Sequence, residues 1–263
     1  MIHSRLSLDA MCTFRWSFER ELALWKDVGV RHAGLLMNKI ADDPERCLGA
    51  LDDAGIRIST LITGGFQLSA PETWDATRET HKAMIDLVAE HAGHSIYFTT
   101  GRTVRCDWDE DVALFAQAVA PTVEHARAKG VTAAFEPSLR TSVSFCTRLA
   151  DAVDIAERTG LGIVSDFSNN WMERGLADTL KRAMPHIALV QIGDIAISGA
   201  GGRLHVGQGD LPLGRMMNEV LDAGYEGVFD LEVVPADYTA DTGEAEFRAG
   251  IKAASDLLYA AGI

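Results

Sequence analysis

Short apolar runs alternate along this chain with longer stretches whose apolar positions recur every three to four residues. The short runs predict strands at 3–8, 32–37, 57–62, 95–100, 132–136, 162–166, 188–192 and 228–233. The longer stretches predict helices at 18–27, 44–54, 74–91, 109–129, 148–158, 174–183, 214–222 and 244–259. Run length separates the two, because a five-residue apolar run suits a buried strand whereas helices need ten or more. Several helices, such as those ending before Gly55 and Gly160, meet a glycine just ahead of the next strand. That residue can terminate a helix in the left-handed conformation.

Eight strand–helix units in succession require a parallel sheet with right-handed crossovers, and eight is the number that closes into a (β/α)₈ TIM barrel. An open doubly wound sheet would carry a glycine-rich phosphate loop after its first strand. The residues after strand one, MetCysThrPheArgTrp16, contain no glycine. Without a linker or a shift in composition, residues 1–263 read as one domain. A length of 263 residues matches the ~250 of many barrels. Hydrophobic residues make up 47%, enough for a large core.

Charge narrows the partners. With 24 basic and 38 acidic residues, the net charge of −14 repels phosphate backbones, so nucleic acid is not an expected partner. The expected partner is a small-molecule substrate. Cys12, Cys47, Cys106 and Cys146 have no metal-ligand or CxxC spacing and read as reduced thiols. No run is apolar enough for a signal peptide or a membrane span, so a cytoplasmic protein without membrane contact is expected.

In a barrel, catalytic groups stand at the carboxyl ends of the strands. Of the eight histidines only His205 falls in such a loop. Four consecutive predicted strands end in or just before oxygen-bearing side chains: Glu136, Asp166, Gln191 and Glu232. Each alone could cap a helix or pair with an arginine. Together in a low-dielectric mouth they would repel unless protons or a cation neutralised them, and a divalent metal is the economical answer. An all-oxygen set favours Mn²⁺ or Mg²⁺ over zinc. Arg102 and Arg140, just past strands four and five, are placed to bind a carboxylate or phosphate or to balance the acids. Trp16, Phe66, Trp108 and Trp171 lie in or near the same loops and could wall a pocket or simply pack.

These residues resemble the xylose-isomerase-like barrels, in particular their sugar (phosphate) isomerase and epimerase branch. The similarity spans essentially the whole chain. It rests on the order Glu136, Asp166, Gln191, Glu232, on Arg203-Leu-His-Val-Gly207-Gln-Gly209, and on the GlyTyrGluGly227 stretch before the last strand. The resemblance implies a metal held by those four residues, with Glu136 and Glu232 as catalytic base and acid. It implies that Arg203 and His205 complete the substrate loop. Asn169, Trp171 and Arg102 are further candidate substrate contacts. Similar barrels are usually homo-oligomers, which extends that expectation to this chain. Three positions depart from the pattern: Gln191 and Asn169 stand where histidines are usual, and Val206 replaces a proline.

The expected reaction is isomerisation or epimerisation of a small hydroxy-ketone, a sugar or polyol derivative, through an enediolate. A lyase or dehydratase using the same enolate, with His205 protonating the leaving oxygen, is the alternative. The missing histidines also admit a non-catalytic binding protein or inactive subunit on this scaffold.

Overall fold

A computed structural model describes residues 2–197, 202–234 and 241–263. Its centre is a closed parallel barrel of eight strands. In chain order these are β1 (Leu6–Asp9), β2 (His32–Leu36), β3 (Arg57–Ile62), β4 (Ser95–Thr99), β5 (Thr132–Glu136), β6 (Gly162–Asp166) and β7 (Ile187–Ile192). An antiparallel ribbon of β8 (Asp194–Ile195) and β9 (Arg203–Leu204) follows, and β10 (Phe229–Leu231) closes the barrel between β7 and β1.

All eight predicted strands form, with shifts at their ends. The first begins at Leu6 and runs on to Asp9; the second stops at Leu36, because Met37 opens a helical turn; the last stops at Leu231, leaving Glu232 just beyond it. The ribbon was not anticipated, since two-residue strands carry no periodicity. The sixth crossover helix starts at Leu176, after Gly175 in the left-handed conformation. Among the described residues no helix is long and apolar enough to cross a membrane.

The barrel interior is layered. Tyr97, Ala134, Val164, Ala188 and Leu189 form an apolar plug. Helices pack outside around the larger core that includes Trp25, Phe98, Phe115, Phe229 and Phe247. Tyr225, from the GlyTyrGluGly227 stretch, helps to close the barrel. Its hydroxyl donates to Val228 O (2.6 Å) and accepts from Val190 N (3.1 Å), tying the lead-in of β10 to β7.

Candidate active site

In a strand, residues two apart face the same side, so the final strand directs both Asp230 and Glu232 inward. Asp166 pairs in register with Gln191, and Gln191 with Asp230. Glu232 therefore lies two residues beyond that row. On β5, Phe135 pairs with Ile163, which places Glu136 below it. Glu136, Asp166, Gln191 and Glu232 thus stand at different levels: barrel strands are staggered by their shear, and side-chain length closes the steps.

Despite the stagger, Glu136, Asp166 and Glu232 converge, each buried, with one oxygen from each lying within 4.8 Å of the others. Asp166 Oδ1 caps the turn Phe167–Asn170 by accepting from Ser168 N at 2.8 Å. Its Oδ2 accepts from Arg203 Nη1 (2.5 Å) and Asn169 Nδ2 (3.0 Å). Asn169 Nδ2 also donates to Glu136 Oε1 at 2.7 Å, while its Oδ1 accepts from Arg203 Nη2 at 3.0 Å. One amide therefore fastens two carboxylates to one guanidinium. On the far side the Tyr97 hydroxyl donates to Glu232 Oε1 (3.1 Å) and accepts from Gln191 Nε2 (3.1 Å). Gln191 Oε1 is buried without a hydrogen-bond donor.

Burial, reinforced by the charges of Asp9 and Asp166, pushes the Glu232 carboxyl up to about 8; Arg203 and the Tyr97 hydroxyl oppose this. Glu136 is raised well above the carboxylate range by burial and then by Glu232 and Asp166. Burial alone would lower Arg203, but the surrounding carboxylates, Asp166 foremost, leave it raised and charged. Three acids against the guanidiniums of Arg203 and Arg140 still leave an excess of negative oxygen. Together with the orphaned Gln191 carbonyl, this donor set fits a divalent cation. Arg203 already holds Asp166, so the guanidinium and a cation would share that carboxylate.

The loop bearing Arg203 is built around Asp194. Its Oδ1 accepts from Ile195 N and Leu211 N, and its Oδ2 from Gly207 N and Gly209 N, all between 2.9 and 3.1 Å. Four backbone donors explain why an acid precedes a Gly-x-Gly segment. His205, from the same loop, is turned away from the carboxylates. It packs on Phe247 (ring centroids 5.9 Å) and against Gly250, its Nδ1 has no partner, and burial lowers its pKa. A 150 Å³ cavity nevertheless touches both His205 and Arg203. Trp171 is half-buried with its indole N–H unpartnered. Of the other loop aromatics, Trp16 is a core residue, Phe66 is buried yet lines the groove over β3–β5, and Trp108 packs on Phe145. Arg102 is exposed and stands apart from the cluster, in a groove over β3–β5.

Three inward side chains had no place in the sequence reading. Tyr97 is hidden in an apolar strand. Asp9 ends β1 and Asp230 precedes Glu232 by two, signals that strand-end acidity and the two-residue period carry. The two aspartates face each other: both Oδ2 atoms crowd Gly34, where a Cβ would come 2.7 Å from Asp9 and 3.1 Å from Asp230. Asp9 is raised well above its normal range by burial and by Asp230; burial raises Asp230 to about 6. Burial and the close approach of the two groups therefore favour a protonated form of the pair.

A family model described as the xylose isomerase-like TIM barrel matches residues 22–257. The chain belongs to this family. Among solved structures of this xylose isomerase-like fold, protein SMc04130 from Sinorhizobium meliloti 1021 superposes with a TM-score of 0.84 at 20% identity, over 96% of this chain and 98% of that one. IOLI, solved with a bound zinc atom, gives 0.80 at 16% identity, over 97% and 98%. D-Psicose 3-epimerase, solved in the presence of D-fructose, gives 0.77 at 16% identity, over 97% of each chain. At these identities the likeness is one of fold. No curated protein matches the chain.

Proposed function

We propose that this xylose isomerase-like barrel is a divalent-metal-dependent isomerase or epimerase of a small hydroxy-ketone, a sugar or polyol derivative. The observation that carries this reading is the meeting of two buried, proton-retaining glutamates, Glu136 and Glu232, which approach from β5 and from beyond β10 with Asp166 between them. Glu136, Asp166, Glu232 and the Gln191 carbonyl would hold Mn²⁺ or Mg²⁺, which supplies Lewis-acid polarisation of the carbonyl and its neighbouring hydroxyl. Whichever glutamate is ionised takes the proton from the carbon beside the carbonyl, giving an enediolate. The glutamate that keeps its proton returns one on the opposite side. Arg203 favours charge on both glutamates, with Arg140 adding to it at Glu136 and the Tyr97 hydroxyl at Glu232. Arg203 and Asn169 hold the carboxylates in place and stabilise negative charge on the substrate oxygens, and Trp171 walls the entrance.

The lyase alternative asks His205 to protonate a departing oxygen. A buried imidazole with a lowered pKa, packed on Phe247, is neutral near pH 7 and a poor acid, which favours isomerisation. The test is turnover of ketoses in D₂O with added Mn²⁺. Deuterium at the carbon beside the carbonyl with an unchanged carbon skeleton supports the isomerase. A product lighter by water supports the lyase. No exchange, together with no uptake of Mn²⁺ at millimolar concentration, leaves a non-catalytic scaffold.

A further inference from the structure

A second concave site lies outside the carboxylate cluster. It is a cavity of about 570 Å³ between the loops that follow β3, β4 and β5. Its polar lining includes Gln67, Ser69, Thr99, Arg102, Thr103 and Ser142. Thr99 is the register partner of Glu136, so the cavity floor begins one strand spacing, ~4.8 Å, from the strand that carries a reacting carboxylate.

The walls are preformed. Gly101 N donates to Val143 O (3.0 Å), and Phe145 N donates to Gly101 O (2.7 Å). The buried hydroxyls of Thr100 and Ser144 bond at 2.9 Å. Gly65 lies so close to β4 that a Cβ there would stand 2.4 Å from Thr99 O. Asp111, in the first turn of the helix Trp108–Lys129 that follows, is consumed holding this loop: it accepts from Val104 N and Arg105 N (3.0 Å each) and from the Thr103 hydroxyl. Arg102 consequently has no hydrogen bond or ion pair among the described residues. An unpaired guanidinium among hydroxyls, in a chain of net charge −14, is a local exception to the surrounding field.

We propose that this groove is an anion subsite, in which Arg102 and the hydroxyls around it hold a carboxylate or phosphate at the far end of the substrate. The substrate class is then an acidic or phosphorylated hydroxy-ketone rather than a neutral sugar. This rests on the reading of the carboxylate cluster as the reacting end. A planar fork of donors matches either anion, and a charge-assisted contact of this kind changes affinity by about ten- to a hundredfold.

The experiment is calorimetric binding of three matched ketoses to the Mn²⁺-loaded protein: D-fructose (neutral), D-fructose 6-phosphate and D-fructuronate (a carboxylate at the same carbon). The wild type should bind at least one charged member about tenfold or more tightly than D-fructose. That ratio should fall to near one in Arg102→Gln and be partly restored in Arg102→Lys. Preference for the phosphate, the carboxylate or both identifies the anion. Equal binding of charged and neutral ketoses, a preference that survives in Arg102→Gln, or no binding of any of the three at 10 mM overturns the subsite. Deuterium exchange is scored separately: preference without exchange removes the isomerase reading and leaves the subsite standing, while exchange without preference does the reverse.

Discussion

Two groups of buried carboxyls sit a few residues apart inside this barrel, and they are settled in opposite ways. Asp9 and Asp230 crowd each other across Gly34, and burial raises both carboxyls toward the protonated form. Glu136, Asp166 and Glu232 are surrounded by donors: Arg203, Asn169 and the Tyr97 hydroxyl. Donors at fixed positions keep carboxylates apart, oriented and open to a ligand, whereas protonation removes the charge that would hold a cation. Buried acidity alone is therefore no sign of a site. What matters is whether neighbouring donors hold the carboxylates apart and oriented, as Arg203, Asn169 and the Tyr97 hydroxyl do.

The largest expected effect separates the two groups by function. Glu136→Gln and Glu232→Gln should each lower the rate of deuterium exchange by about 10²–10⁴, the usual contribution of a positioned acid or base. Circular dichroism should show the fold retained. Exchange that survives in both variants would remove the cluster from the chemistry.

Next comes Gly34→Val, which drives a side chain between Asp9 and Asp230. A loss of about 1–3 kcal/mol in unfolding free energy is expected from such overpacking. Mn²⁺ titration of the still-folded variant should show the cation site present. Loss of Mn²⁺ uptake without loss of stability would merge the two groups into one.

A third prediction concerns pH. Glu232 is protonated in the metal-free fold up to about 8, while an unfolded glutamate titrates near ~4.5. Its folded pKa is raised, so its stabilising contribution is full below the unfolded value and is lost as pH rises through about 8. The chelated protein should accordingly melt at lower temperature at pH 8 than at pH 6. Mn²⁺ must displace the same proton, so its affinity should rise over that interval by up to about tenfold per pH unit for each proton released. An affinity flat with pH would mean that the cation binds without Glu232.

The smallest effect belongs to Asp9→Asn, in which a neutral amide replaces one of the two crowded carboxyls. Stability near pH 5 should change by no more than about 1 kcal/mol. Above pH 6, where Asp230 ionises, the variant should hold its melting temperature better than the wild type does.

The sequence alone determined the strand–helix alternation, the closure at eight units, the acidic carboxyl ends and the residues Glu136, Asp166, Gln191 and Glu232 at the mouth. These follow from period and position, which are properties of a local string. It did not reveal that Tyr97 links Gln191 to Glu232, that Asp194 builds the Arg203 loop, or that Asp9 pairs with Asp230 across β1 and β10. It likewise gave His205 a place at the mouth, and packing on Phe247 turned that ring away. Those outcomes depend on which strands become neighbours, how far the barrel shear steps each one, and which donors reach a given oxygen. They are set by contacts between residues more than a hundred positions apart in several cases, and only the closed barrel brings those residues within hydrogen-bond distance.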